Sequence, residues 1–291
     1  MKSVIITCMT LLLLLGCSDN SSSPEGKTKT DFLLLKNAHF PSWSPDGMGL
    51  VCNRSLPEFE YCVWWITING TISDTLLLDT NGYGPWYPKW MPDGQRVVYH
   101  RTRSDGVDPV YEFVIQDLQG SNPIVWNVPA FWHDAAFTLV SDGSELLYST
   151  RKDTSWALSL SDGSVRFISD GYGASASPDG QWLAFTKNDS ITVTPFGGGL
   201  AITFEPGWDP AWTPDSKYII FSGFGKSASP DLIIVSTDGS YRAQLTDDPE
   251  WDLRPEVSPN GDRLAYVKTA DDDYGPFNIR IIDLSRLGLG M

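Results

Sequence analysis

Two sets of residues have types and spacings that could support chemistry at a protein site. The first set consists of carboxylate or amide side chains that recur every 36 to 49 residues, each in a short polar turn. A ring of such oxygen atoms is one way to bind a cation. The members of this set are Asp46, Asp93, Asp142, Asp179, Asp215 and Asn260.

A structural role explains these turn residues better than metal binding does. In a turn such as Trp43-Ser44-Pro45-Asp46-Gly47, Pro fixes φ, Asp accepts from a backbone N–H two residues on, and Gly tolerates a positive φ. Asn260 replaces the acid in one turn, and Ser216 replaces Gly in another. Because a metal ligand would need its charge, we predict that these turns supply geometry and hold no metal.

The second set lies a few residues before each turn, where aromatic and polar side chains stand side by side. Connecting segments do not need several exposed Trp residues to fold, and an apolar patch with a polar rim is typical of a binding surface. We therefore predict a ligand-binding or partner-binding surface here. The alternative is that the aromatic side chains turn inward and plug the strands beneath them. The candidates are His39, Phe40, Trp86, Tyr87, Trp132, His133, Asp134, Tyr172, Trp208, Asp209, Trp251, Asp252 and Arg254.

The elements that position these residues are short β-strands in a repeated order. Each unit has an apolar run before its turn, a strand after it, and two further strands bounded by Gly, Asp and Pro. Six units of this kind predict an all-β fold, a six-bladed β-propeller of four-stranded antiparallel blades. The segments before the turns then converge on one mouth of the central channel.

The two ends of the repeat predict how the ring closes. The sixth unit ends after its third strand, within Asn278–Leu284, whereas an extra strand, Asp31–Asn37, precedes the first turn. We expect these two strands to pair and to close the ring, which would remove an open sheet edge.

The units resemble the TolB-type propeller repeat, which has the pattern Trp-Ser-Pro-Asp-Gly followed by a strand of the Leu-Ala-Phe kind. The resemblance covers about residues 31–291 and implies a six-bladed propeller and a possible role in the Tol–Pal envelope system. TolB carries a separate α/β domain before its propeller, whereas only a short polar segment precedes the first strand here. The matching segments are Trp43–Gly47, Ser177–Gly180 with Leu183–Phe185, and Ser258–Gly261 with Leu264–Tyr266.

The N-terminal segment has the anatomy of a lipoprotein signal. One Lys precedes an apolar run that is too short to remain in a bilayer, and the ending "LLGC" resembles a lipobox. We expect a signal peptide over residues 1–16, lipid on Cys17, a flexible tether over 17–30, and the propeller over 31–291. An ordinary secretory signal is the alternative. Since Ser18 is not Asp, the resemblance points to the outer membrane, facing the periplasm or the cell surface.

Two cysteines remain after signal removal and lipidation. Cys52 and Cys62 lie on two predicted neighbouring strands and would be exposed to an oxidising compartment. They form either a cross-strand disulfide or two buried thiols. The sequence contains no Cys-rich motif with the spacing of a zinc site.

Composition and motifs favour binding over catalysis. The net charge of -15 disfavours nucleic-acid partners. The sequence has no G-x-S-x-G, phosphate-loop or H-E-x-x-H motif, and neither its histidines nor Asp271–Asp273 require a metal. We therefore expect a monomeric, non-enzymatic envelope lipoprotein without a cofactor, whose mouth binds a protein or peptide. A glycan-binding propeller that stacks sugars on Trp and Tyr is the alternative; a lyase or hydrolase is less favoured.

Overall fold

The computed structural model describes most of the chain after its N-terminal segment. The described residues are 31–56, 59–70, 72–78, 84–104, 109–121, 123–128, 137–150, 153–226, 228–270 and 275–289. Cys17, Trp132, His133, Asp134 and Asp271–Asp273 lie outside them.

The described part of the chain is built almost entirely from β-strands, with one 3-10 turn at Ser285–Leu287. In chain order the strands are β1 (Asp31–Lys36), β2 (Ala38–Trp43), β3 (Gly49–Leu56), β4 (Phe59–Thr67), β5 (Ile72–Leu78), β6 (Trp86–Trp90), β7 (Arg96–Ser104), β8 (Pro109–Asp117), β9 (Ile124–Val128), β10 (Thr138–Leu139), β11 (Glu145–Thr150), β12 (Thr154–Ser159), β13 (Val165–Ser169), β14 (Tyr172–Ala176), β15 (Trp182–Lys187), β16 (Ser190–Pro195), β17 (Ile202–Trp212), β18 (Tyr218–Phe224), β19 (Pro230–Ser236), β20 (Arg242–Gln244), β21 (Trp251–Val257), β22 (Arg263–Thr269) and β23 (Asn278–Asp283).

The described strands form four separate four-stranded antiparallel sheets and one larger sheet. The four are β2–β5, β6–β9, β10–β13, and β21, β22 and β23 with β1. The seven strands from β14 to β20 form one continuous sheet. The predicted all-β, four-stranded antiparallel pattern is thus present, but the described strands form five hydrogen-bonded sheets rather than six. The reason is that β17 does not break: Ile202–Pro206 pairs with β16, and Gly207–Trp212 pairs with β18.

The hydrophobic core lies between the faces of neighbouring sheets, as a propeller arrangement requires. Phe113 on β8, for example, packs in one cluster with Leu146 and Tyr148 on β11 of the following sheet. A second cluster joins Ile234 on β19 to Leu264 on β22. Each sheet buries apolar side chains on both faces, which explains the nearly continuous apolar runs in the second and third strands.

Three tryptophan side chains, on β2, β6 and β17, link their strands to strands that come before them around the structure. The indole N–H of Trp43 donates to the carbonyl oxygen of Glu256 at 2.8 Å, and that of Trp212 donates to the carbonyl of Ser175 at 2.9 Å. Trp90 instead packs edge-on against Trp65 of the preceding sheet, with ring centroids 5.3 Å apart. Each of these three Trp residues thus contacts a strand that precedes its own around the structure.

The turn carboxylates organise the backbone as predicted. Oδ1 of Asp46 accepts the N–H of Met48 at 2.9 Å and the hydroxyl of Ser44 at 2.6 Å. These hydrogen bonds, that from Ser44 above all, lower the pKa of Asp46. Asp93, Asp142, Asp179 and Asp215 each accept the N–H two residues on, from Gln95, Ser144, Gln181 and Lys217.

The N-terminal strand pairs with the last strand of the chain. β1 runs antiparallel to β23, with Asp31 opposite Ile282 and Lys36 opposite Asn278. Leu35 is buried in a cluster with Ile279 and Ile281. The carboxylate of Asp31 accepts hydrogen bonds from Arg280 and from the hydroxyl of Tyr266, the latter at 2.9 Å. The predicted pairing of these two strands is thus present, with both apolar and polar contacts.

We expect deletion of residues 31–37 to lower the free energy of unfolding of the whole domain by at least about 4 kcal/mol. The loss comes from the buried Leu35 side chain and the charged hydrogen bonds of Asp31. Urea denaturation followed by Trp fluorescence measures it, and Asp31→Ala should show part of the loss. Lys36→Ala is the control, because Lys36 is exposed on the same strand. An unchanged midpoint after the deletion would contradict the expectation.

Candidate binding site

We call each set of four hydrogen-bonded strands a ladder, and β17 belongs to two of them, its first part with β14–β16 and its second part with β18–β20. The first strand of each ladder lines one central cavity of about 290 Å³. These entering strands are β2, β6, β10, β14, the second part of β17, and β21. Each contributes side chains to the wall, so the cavity lies on the axis around which the sheets are arranged. One lining residue from each strand is Phe40, Tyr87, Leu139, Gly173, Asp209 and Arg254.

Five of these lining residues occupy the same irregular position in their strands. In each strand the pairing shifts register at this point, as at a β-bulge. Each residue stands six positions before the Asp or Asn of its turn, and each has a positive φ. We call this set the bulge ring: Phe40 (φ 55°), Tyr87 (φ 53°), Gly173 (φ 65°), Asp209 (φ 56°) and Arg254 (φ 54°).

The bulge ring is a strained feature of the backbone. Non-glycine residues rarely adopt a positive φ, and a bulky one that does so stores on the order of 1 kcal/mol. Only one of the five members is glycine. Four strands therefore carry this strain, and in each of them it occurs where a side chain reaches the cavity.

One side of the cavity is an aromatic and cationic stack. The rings of Phe40 and Tyr87 lie with centroids 3.9 Å apart. The guanidinium carbon of Arg254 lies 4.6 Å from the centroid of Phe40, which is a cation–π geometry. The stack joins three neighbouring sheets, because its members come from β21, β2 and β6.

His39 packs behind this stack as a neutral ring. Its centroid lies 4.5 Å from that of Phe40 and 5.3 Å from that of Phe277. Burial lowers the pKa of His39 to about 3, and the charge of Arg254 lowers it further in the same direction. An imidazole in this state is unsuited to acid–base chemistry near neutral pH. The structure therefore places His39 in the packing of the wall and away from the cavity lining.

Another part of the cavity wall, formed by β14 and β17, is acidic. Asp209 is half-buried and lines the cavity beside Gly173. Tyr172 lies nearby, and its pKa is raised to about 12, first by burial and then by the negative charges of Asp189, Asp209 and Asp153. Three carboxylates from three successive ladders thus lie close to one phenol.

Two cavity-lining residues that the sequence did not predict as site residues form an ion pair. Nζ of Lys89 on β6 lies 2.6 Å from Oε2 of Glu256 on β21. Both residues stand two positions after a bulge-ring member, so they point to the same side of their strands. Their sheets are separated by the β2–β5 sheet, so the pair joins two sheets that are not direct neighbours. The period of two along the entering strands is the signal that could have identified it.

Asp252 belongs to a separate, buried ion pair. It has no exposed surface, and its Oδ1 lies 2.8 Å from Nζ of Lys268 on β22. Burial raises the pKa of Asp252 to about 6, against the lowering effect of Lys268. Asp252 is not among the residues that line the central cavity, and its role as a mouth residue stays a prediction.

The remaining aromatic candidates flank the cavity without lining it. Trp86, Tyr172, Trp208 and Trp251 are each half-buried. Trp208, for example, packs edge-on against Phe224 at 5.6 Å. These side chains are partly exposed, which lies between the two alternatives that the sequence left open, an exposed binding surface and an inward-turned plug.

The two cysteines near the first sheet are free and buried. Cys52 pairs in register with Trp64, whereas Cys62 pairs with Arg54. Cross-strand disulfides need short Cα separations, and residues offset by two positions are diagonal rather than opposite. Burial raises the pKa of Cys62 to about 11. The structure therefore shows buried thiols, and the possible disulfide is not formed.

The described residues lack two kinds of structure. They contain no cluster of three or more His, Cys, Asp or Glu side chains arranged to hold a metal ion. Nor does this part of the chain contain a helix with the length and apolar character needed to cross a membrane.

Comparison with known proteins shows the fold. No protein-family model matches the chain. TolB from Acinetobacter baumannii superposes with a TM-score of 0.64 at 17% identity, over 76% of this chain and 57% of TolB. An oligogalacturonate lyase solved with manganese gives 0.57 at 15% identity, over 87% of this chain and 90% of the lyase.

A curated relative is similar in sequence over part of the chain. It is named an uncharacterized peptidase, YuxL of Bacillus subtilis (strain 168), and is 28% identical over 123 residues, 37% of this chain. The match spans only 19% of the length of that peptidase. Taken together, the structural neighbours establish that the chain adopts a TolB-like β-propeller fold.

We expect His39 to remain neutral in the folded protein at any pH above about 4. Its pKa is about 3 in the fold and 6.5 without it. As the pH falls below 6.5, only the unfolded chain binds this proton, so the free energy of unfolding decreases. NMR titration of the His39 Cε1–H signal, assigned with a His39→Asn variant, should show no transition between pH 5 and 8.

The same variant provides a control on stability. Asp252 acts with the opposite sign, because its raised pKa makes the fold more stable as the pH falls from about 6 towards 3.8. Only the difference in pH dependence between wild type and His39→Asn therefore reports on His39. A signal that titrates near pH 6.5 would contradict the assignment.

Proposed function

We propose that this chain is a six-bladed propeller lipoprotein of the bacterial envelope that binds a segment of a protein partner in its central cavity and catalyses no reaction. The observation that carries the proposal is the cavity itself. Every entering strand contributes to its wall, and half-buried charged and aromatic side chains lie together there. A volume near 290 Å³ suits a few side chains of a peptide segment rather than a folded domain.

Six blades follow if each half of β17 is counted with the ladder it joins. The pairing of β1 with β23 then completes the last blade and closes the ring. A closed ring would hold the cavity wall rigid, which reduces the entropy lost when a ligand binds.

The envelope location rests on the sequence of the N-terminal segment and on the fold. Residues 1–17 have the pattern of a lipoprotein signal with Cys17 as the lipidated residue. The TolB-like fold is consistent with a protein-binding role in that compartment. The lipid would attach the domain to the outer membrane through the tether, on the periplasmic or the external side.

Site-specific photo-crosslinking in cells tests partner binding. A photoreactive amino acid at Leu139, which lines the cavity, should give a discrete crosslinked protein, and Arg254→Ala should reduce its yield several-fold because the Phe40 stack loses its cation. The matched position is Met48, which is 61% exposed on a turn at the far end of β2. Equal crosslinking at both positions would place the interface elsewhere.

Glycan binding is the second candidate, and the fold of the lyase neighbour favours it. That protein is named for oligogalacturonate, an anionic glycan, whereas this chain has a net charge of -15. Like charges oppose association, so we expect no change in Trp fluorescence with millimolar oligogalacturonate, with or without manganese. Neutral glycan fragments are the control for stacking on Trp. A saturable response to either ligand would favour the glycan-binding role.

A further inference from the structure

A second cavity lies outside the central one, in a wedge between two neighbouring ladders. Its volume is about 440 Å³, which is within the range typical of sites for small molecules. One wall is the outer strand β13, and the other is formed by β15, β16 and the first part of β17. We call this cavity the hydroxyl groove, and the hydroxyl-bearing residues that line it are Ser169, Ser190, Thr192, Thr194 and Thr203.

The hydroxyl groove lies where its ladder carries small side chains. In every ladder, the residue six positions after the Asp or Asn of the turn lies on the second strand, and its partner in register on the third strand faces the same way. Here that partner is Thr192, opposite Phe185, and Thr203 follows it on β17. Thr192 is the smallest of the six partners and the one that carries a hydroxyl group. The other five are Trp64, Val114, Trp156, Ile233 and Arg280.

One hydroxyl group at the groove lacks a partner within the protein. Ser169 is only 7% exposed, and its Oγ makes no hydrogen bond to any described residue. A buried hydroxyl group without a hydrogen bond lowers stability, so each such group in a native fold calls for an explanation. A polar ligand in the groove that exchanges a hydrogen bond with Ser169 provides one.

An aromatic ring stands exposed on the same wall. Phe167 on β13 lines the groove and is 54% exposed. Its ring packs edge-on against Trp156, with ring centroids 5.6 Å apart, so its orientation is supported from one side. The face of an aromatic ring is negatively polarised and attracts polarised C–H groups. A sugar ring presents C–H groups on its face and hydroxyl groups around its edge, so it matches both features of the groove.

The charges at the groove favour a neutral ligand. Its charged lining residues are Asp170 and Lys187, which form an ion pair with Oδ2 and Nζ 2.8 Å apart. Because these two charges balance each other, the groove does not require a charge on the ligand. The net charge of -15 also opposes the approach of an anionic sugar. Hydroxyl groups both donate and accept hydrogen bonds, as the hydroxyl groups of a neutral sugar do.

We propose that the hydroxyl groove binds a neutral saccharide of one or two rings. One sugar ring packs on Phe167, and its hydroxyl groups exchange hydrogen bonds with Ser169 and Thr192. The groove shares no lining residue with the central cavity. This site is therefore additional to the proposed function and does not depend on what the central cavity binds.

Saturation-transfer difference NMR with the purified mature protein tests this assignment. The probes are glucose, galactose, mannose, N-acetylglucosamine, cellobiose and diacetylchitobiose at millimolar concentration, and we expect transfer to at least one. Ser169→Ala should weaken binding about tenfold, yet melt no lower than the wild type, because it removes a hydroxyl group without a partner. Thr192→Ile should abolish binding by filling the groove, and Ile233 shows that the fold accepts this side chain at the same position of a ladder.

A matched pair of variants tests the aromatic platform. Phe167→Ala should lose the sugar signal, whereas Phe32→Ala should keep it, because Phe32 is similarly exposed on β1 and lies outside the groove. Transfer to none of these sugars, or equal transfer with Thr192→Ile, would overturn the assignment and leave the proposed function standing. A signal that Thr192→Ile abolishes belongs to the groove and does not count as glycan binding in the central cavity.

Discussion

The hydrogen bond from a backbone N–H to the carboxylate two residues before it sets the geometry on which the rest of the structure depends. Asp46, with its bond to Met48, is one of five described residues that make this bond in the turn between a first and a second strand. The bond fixes the tight turn between the first and second strands of a ladder, and so fixes their register. Because strand side chains alternate with a period of two, that register decides which residues of the entering strand reach the cavity.

The β-bulge then modifies this alternation at one point in five of the six entering strands. A regular strand would carry every second residue to the axis, whereas the bulge reorients one residue through a positive φ. The strain in Phe40, Tyr87 and Arg254 is offset by contacts that only the assembled sheets provide, including the stack of those three side chains. Strained residues that line a cavity are candidates for a functional role.

Burial sorts the charged residues around the cavity into different roles. Asp252 and Lys268 form a pair inside the sheet, and His39 stays neutral among aromatic rings. Asp209 and Arg254 are only half-buried and line the cavity. Residues that are neighbours in sequence, such as Asp252 and Arg254, thus have different environments, because side chains at the same end of a strand can point between sheets or towards the axis.

By itself, the sequence determined the all-β repeat, the turn chemistry and the pairing of Asp31–Asn37 with the last strand. These features depend on local patterns or on counting strands, which a linear chain displays directly. The tertiary structure alone decided that β17 continues from one ladder into the next, that Cys52 and Cys62 are offset, and that Lys89 meets Glu256. It also decided which candidate site residues line the cavity: Asp209 and Arg254 do, whereas His39 and Asp252 do not. The reason is that register, bulges and the packing of distant strands set the direction of each side chain, and none of these is written in the spacing of residues along the chain.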